Sequence, residues 1–387
     1  MTGSGMNKKI VVILCSEPEW GGEHQYALTL MECMTKIGND IDVMAVCSNH
    51  YWRKWCREQK IKILNVAWPS FSLKEQKYHL KFKLFSRVYT MYMTAFGREL
   101  YRNKIDAVLC TTQGIFVPNF DCKIIAPVHD LMHRYEGRFP EVRDGYEGRE
   151  LIFASIAKFA WCVLTDSKLG RQQFTESYKK YIRKKKLHIV NLPFVAPKHL
   201  AECGEEFIDT PVKYIFYPAQ FWQHKNHMNL VRAIAILVKD VPDIHLVLVG
   251  SEKNNMRKIR QYILEHGLEN QITIKGFVSN ENMKYLYKHA DGMVMPSYFG
   301  PTNIPPLEAM ALGCPVAVSD KYAMPEQVGD AGLLFDPDSP EEIAECIRKM
   351  WLDEDLRRRM IKRGYRQTER WTLQSFNERL QKIIKDI

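Results

Sequence analysis

Three short texts in this chain combine residue types and spacings that could do chemistry. The first, PSYFGPTNIPPLEAMALGCPVAVSD at residues 296–320, reads as a strand, a loop and a helix. Pro305 and Pro306 suit the opening helical positions, where a missing N–H costs nothing, and Gly313 suits the end. Backbone N–H groups at Thr302, Asn303 and Ile304 would then face an anion, with the helix dipole adding attraction. Glu308 falls one turn inside, where a carboxylate can accept hydrogen bonds from paired hydroxyls. A plain capped helix with a dipole-favoured glutamate is the alternative. In the second text, YPAQFWQHKNHMNLVRAI at 217–234, Gln220 lies in the loop after a strand and Lys225 beside a helix start. An ammonium there opposes the dipole unless an anion is bound. His224 and His227 lack a third ligand nearby, so they read as helix-start polar residues and not as a metal pair.

The third text, APVHDLMHR, sets His129 and Asp130 at a strand end, and an active-site histidine is favoured over a metal pair with His133. Gly21 and Gly22 follow the first strand and let backbone approach a ligand, although they lack G-x-G-x-x-G spacing and a simple turn would explain them too. Two D-x-D texts, at Asp40–Asp42 and Asp336–Asp338, read as structural. With no phosphate-binding P-loop, G-x-S-x-G elbow or zinc-type Cys/His set, the expected metal ligands are none.

These residues need strand ends to position them. Short Val/Ile-rich runs alternate with amphipathic stretches: KIVVILC, IDVMAVC, DAVLCTT, KIIAPV and FAWCVLTDS, then KYIFYPAQ, IHLVLVG, QITIKG, DGMVMPS, PVAVSD and AGLLFD. Unbroken apolar strands are covered on both faces, as in a parallel sheet with crossover helices. The fold class expected is therefore α/β, two Rossmann-like doubly wound domains. The first spans 1–195, and the second spans 196–370 after a proline-containing linker. The helix at about 371–387 is expected to pack back on the first. Ligands of such sheets sit beyond the strands' carboxyl ends, which adds Gly250 and Gly276, Phe277 and Val278 to the candidate residues.

Composition narrows the class. The 387 residues are 46% hydrophobic and 26% charged, with no apolar run long enough to span a membrane. Ten scattered cysteines read as reduced thiols, and the N-terminal text lacks the features of a secretory signal, so a cytoplasmic location is expected. The net charge of +10 is lopsided: residues 1–195 carry +11 and the rest −1. Lys74 to Lys104 holds eight basic and two acidic residues among many aromatics, which suits an anionic lipid surface. Lys168 to Lys186 is also basic, and there a solvated helix face explains the text as well.

Together and in order, the Gly21-Gly22 turn, VHDLMH, PAQFWQHKNH and FGPTNIPPLEAMALGCPVAVSD resemble the GT-B glycosyltransferases of family four. The resemblance covers nearly the whole chain. It implies a metal-independent hexosyltransferase that retains anomeric configuration, with a GDP- or UDP-hexose donor and no other cofactor. It implies Glu308 on the ribose hydroxyls, and Lys225 with Thr302, Asn303 and Ile304 on the diphosphate. Gly22 would approach the phosphates or acceptor, His129 would touch the sugar, and Gly276 to Val278 would border the base. Family members commonly carry arginine where this chain has Gln220 and glutamate where it has Gly300, so one cation and one carboxylate are missing. The partners expected are a glycan or glycolipid acceptor and an anionic membrane on the inner face of the cell, without nucleic acid. Rival readings are a GT-B epimerase or hydrolase, and a non-catalytic nucleic-acid binder.

Overall fold

The computed structural model describes residues 7–38, 40–183, 187–196, 200, 202–300 and 303–387. Its contacts divide the chain into two compact units. Unit one comprises Met1–His133, Gly145–Pro193 and Leu373–Ile387, and unit two comprises Arg134–Asp144 and Phe194–Thr372. The excursion Arg134–Asp144 lies inside the stretch that sequence reasoning gave to the first domain, and its contacts lie with the second unit.

Unit one is built on a seven-stranded sheet, β3-β2-β1-β4-β5-β6-β7. In that spatial order the strands are Lys62–Ile63, Ile41–Cys47, Lys8–Leu14, Ala107–Cys110, Lys123–Val128, Cys162–Thr165 and His188–Asn191. Every pairing is parallel. The central strands read IVVIL and AVLC because helices cover both faces, and Ile10 to Leu14 and Ala107 to Cys110 are essentially inaccessible to water. Helix Gly22–Met34 makes the first crossover and buries Tyr26, Ala27, Leu30 and Met31. The final helix, Leu373–Lys385, belongs to this unit and buries Phe376, Leu380, Ile383 and Ile384.

Unit two is built on a six-stranded parallel sheet, β10-β9-β8-β11-β12-β13. Its strands in spatial order are Ile272–Lys275, Leu246–Val249, Ile215–Pro218, Gly292–Met295, Val316–Ser319 and Gly332–Phe335. Strand order reverses direction between β8 and β11, and that switch point opens a place for ligand at the strands' carboxyl ends. Both motif texts of this unit emerge there, one after β8 and one after β11.

Candidate functional site

In unit two, β8 ends at Pro218 and leads through Gln220 into a short 3-10 turn, Gln223–Lys225, before helix His227–Leu237. Asn226 makes the join in the left-handed conformation (φ 58°), which asparagine tolerates better than most residues. Its buried amide donates to the carbonyls of Pro296 (3.1 Å) and Pro337 (2.7 Å). The Tyr298 amide in turn donates to the carbonyl of His224 at 3.0 Å. These bonds hold the Lys225 loop against the segment after β11, so the two texts are neighbours in space. Lys225 itself is half-buried, and its carbonyl accepts from the Tyr217 hydroxyl at 2.9 Å.

The helix predicted after the NIPP text runs Ile304–Ala311 with Asn303 as its N-cap and proline in its first turn. Thr302 lies outside the described residues. Glu308 is half-buried and accepts a 2.7 Å hydrogen bond from the buried Tyr287 hydroxyl. Burial pushes its carboxyl up to about 7, against which the Tyr287 bond acts by favouring the ionised form. The helix start differs from the open amides expected. The Asn303 N–H donates to Gln327 Oε1 at 2.9 Å, and Gln327 Nε2 donates back to the Asn303 carbonyl. One of the three amides assigned to an anion is thus held by a side chain from the short helix Met324–Val328.

Gly250 directly follows β9 with φ at 151°, and a Cβ there would lie 2.1 Å from the Ala219 carbonyl oxygen. Only glycine lets the strand ends close this tightly. Its amide donates to the Gly276 carbonyl at 3.2 Å. Gly250, Gly276 and the backbone beside Gln220 are therefore adjacent, while Phe277 stands 93% exposed and Val278 is half-buried. Sequence reasoning missed Glu141, which lies in the excursion. It accepts from the His224 amide (3.0 Å), from His224 Nδ1 (2.8 Å) and from Asn254 (2.9 Å). Burial, reinforced by the Lys225 charge, lowers the His224 imidazolium pKa to about 3 despite Glu141, so a neutral ring donates Nδ1–H. His227 is wholly buried and stacks on Phe221, away from any exposed polar role.

In unit one, His129 follows β5 and is 8% exposed. Its Nδ1 faces both oxygens of buried Asp166 at 3.1 Å, a pairing that fixes the ring. Burial alone would lower its pKa; Asp166, Glu23 and Asp130 outweigh that and raise it. His133 instead bonds Glu150 at 2.7 Å, whereas His129 is paired with Asp166. Gly21 (φ 64°) and Gly22 start the first crossover helix, and Glu23 beside them accepts from Thr112 Oγ1.

The family model for glycosyl transferases group 1 matches residues 203–367. Unit two thus carries a group 1 glycosyl transferase domain. Over 160 residues the chain is 29% identical to the O-antigen chain mannosyltransferase B of Escherichia coli, covering 41% of this chain and 42% of that protein. The alignment therefore spans less than half the length of that curated relative. Among solved structures, sucrose-phosphate synthase from Thermosynechococcus elongatus superposes with a TM-score of 0.73 at 17% identity, covering 98% of both chains. The Anabaena protein HepE, solved in complex with UDP and glucose, gives 0.69 at 15% identity over 98% of this chain and all of that one. The fold is that of the GT-B glycosyltransferases, and the resemblance seen in the sequence holds for the fold and, over residues 203–367, for the group 1 family model.

Within this group 1 domain, the two departures acquire physical content. Gln220 is turned onto its own loop, accepting from Trp222 Nε1 at 2.9 Å, and the Lys253 ammonium lies 5.2 Å from the centre of the Trp222 ring. Gly300 has φ at 139°, a conformation side chains rarely adopt, and a Cβ there would lie 2.0 Å from Asn303 Nδ2. Asn303 fills the space that a larger residue would need.

Proposed function

We propose that the chain moves a hexose from a GDP- or UDP-sugar to a hydroxyl of a glycan or lipid-linked glycan, with retention of anomeric configuration and without a metal ion. The observation that carries this reading is the pairing, at one sheet's switch point, of the Lys225 loop with a proline-started helix bearing Glu308. A carboxylate supported by Tyr287 suits the ribose hydroxyls. Lys225 and the Ile304 amide suit the diphosphate, with the Asn303 amide joining once Gln327 is displaced. Gly250 and Gly276 to Val278 would border the base. Gln220 is too weak a dipole to replace a cation, so the phosphate charge falls mainly on Lys225 and the helix dipole.

In the transfer step the C1–O bond to the diphosphate breaks and the acceptor oxygen bonds C1. The acceptor's proton passes to the departing phosphate oxygen, so no strong protein base is required. Catalysis then rests on stabilising the diphosphate charge and on positioning. His129, its ring fixed by Asp166, is assigned to the transferred sugar, and Gly21 and Gly22 to close backbone approach in unit one. The relative's name supports polysaccharide assembly with mannose as a donor sugar to test early. A lipid-linked acceptor would place the chain at the inner face of the cell membrane.

The test is to incubate the chain with a panel of GDP- and UDP-hexoses, with and without glycan acceptors, in the presence of a chelator. Proton NMR would follow donor and product. Acceptor-dependent product with the donor's anomeric configuration is expected. Complete conversion of a donor without acceptor would instead identify an epimerase or hydrolase, and salt-sensitive oligonucleotide binding with no sugar-nucleotide turnover would identify a nucleic-acid binder.

A further inference from the structure

Unit one carries an exposed apolar ridge that the transfer chemistry does not use. It runs through helices Leu73–Lys81 and Lys83–Val88, the π-helical turn Tyr89–Met93 and helix Ala95–Asn103. At its tip the five consecutive residues Lys81, Phe82, Lys83, Leu84 and Phe85 are all exposed, Leu84 at 75%, and Tyr92 and Met93 continue the surface at 67% and 68%. Tyr78 and residues 81–85 line an open depression of about 780 Å³. Folded chains seldom leave so many large apolar side chains side by side in water.

The backbone behind the tip is pinned. His79 Nδ1 and Ser86 Oγ, both buried, lie 2.8 Å apart across it, Asn119 donates to the Lys83 carbonyl at 3.2 Å, and Lys158 donates to the Leu80 carbonyl. The fold therefore holds Phe82, Leu84 and Phe85 out toward solvent. Charge is sorted around them. Arg87 is neutralised by Asp121, Lys77 by Glu147 and Arg102 by Glu99. Lys74, Lys81 and Lys83 have no carboxylate at ion-pair distance among the described residues.

We propose that this ridge docks on an anionic lipid bilayer, with Phe82, Leu84 and Phe85 entering the headgroup region and Lys74, Lys81 and Lys83 facing lipid phosphates. The occupant follows from charge complementarity: uncompensated lysines interleave with apolar side chains, and the tip offers no carboxylate to a basic partner. Apolar insertion and cation attraction reinforce one another at such a surface. The proposal deepens the transferase reading, on which its purpose rests, by naming the surface that would hold the chain beside a lipid-linked acceptor.

Vesicle sedimentation of the full chain tests it, with phosphatidylcholine vesicles with and without about 30% phosphatidylglycerol. Parallel samples carry K81E/K83E or F82S/L84S/F85S, and each variant is also measured for nucleotide-sugar binding by calorimetry. Salt-sensitive binding to the anionic vesicles alone is expected, weakened about tenfold or more in both variants, with sugar-nucleotide affinity unchanged. Binding that ignores lipid charge, or that both variants keep, overturns the proposal. So does a self-association, seen by sedimentation velocity, that the serine variant abolishes without vesicle binding, since a second copy then covers the ridge. Loss of nucleotide-sugar binding in the parent chain alongside intact vesicle binding would sink the transferase reading and leave the docking surface standing.

Discussion

Glu308 sits where two demands conflict. In its proposed role it would accept from two ribose hydroxyls best when ionised, yet burial raises its pKa to about 7, well above the ordinary carboxylate value. A raised folded-state value means that protonation favours the fold. The stability it confers is present below about pH 4.5 and is lost as pH rises through about 7. Donor affinity should run the other way, strengthening from pH 6 to pH 8, and Glu308→Gln should flatten both profiles while weakening donor binding roughly tenfold or more. Because the Tyr287 hydroxyl favours the ionised carboxylate, Tyr287→Phe should shift the affinity profile to higher pH without abolishing binding, whereas an unshifted profile would remove Tyr287 from the site. His129 has the opposite logic in its pairing. Asp166 holds its pKa up, so Asp166→Asn should lower the imidazole's titration midpoint in an NMR pH series. An unmoved midpoint would show that the carboxylate does not set the ring's charge.

Elements decide which departures from the family pattern can be undone. Restoring a carboxylate by Gly300→Glu looks simple in sequence, but φ at 139° and the Asn303 side chain leave no room. The substitution is expected to cost about 1–3 kcal/mol in urea unfolding and to leave donor affinity no better. A variant that is both stable and tighter binding would show the loop to be adaptable. Gln327 acts across elements as well, since it closes on both polar groups of Asn303. Gln327→Ala should lower stability by about 1–3 kcal/mol and tighten donor binding, because a phosphate no longer competes for that amide; weaker binding would contradict the displacement. Here the limits of sequence reading are physical. Strands such as VVILC and LVLVG are legible because a twice-covered sheet demands continuous apolar runs, and the proline-started helix because proline tolerates few other positions. The Gln327–Asn303 clasp and the His224–Glu141 bond join residues 24 and 83 positions apart, and no local pattern announces such a pairing. The asymmetry at Gly300 was visible as a missing glutamate; its backbone cause was not.

Across the whole molecule, the charge imbalance read from the sequence runs parallel to the two proposed tasks. Unit two, close to neutral, holds the motif texts that suit a nucleotide sugar, and the basic excess lies in the sequence before residue 195. Much of that excess, from Lys74 to Lys104, surrounds an apolar ridge in unit one. The family match likewise falls on residues 203–367, while the fold match to solved structures spans nearly the entire chain. Donor chemistry should therefore survive changes in the ridge and fail with changes at two residues of unit two. Calorimetric titration of the parent chain, Lys225→Ala and Glu308→Ala with GDP- and UDP-hexoses tests this most directly. The proposed donor site requires saturable binding of at least one sugar nucleotide by the parent and a loss of about tenfold or more in each variant. Equal affinity in all three chains would contradict it.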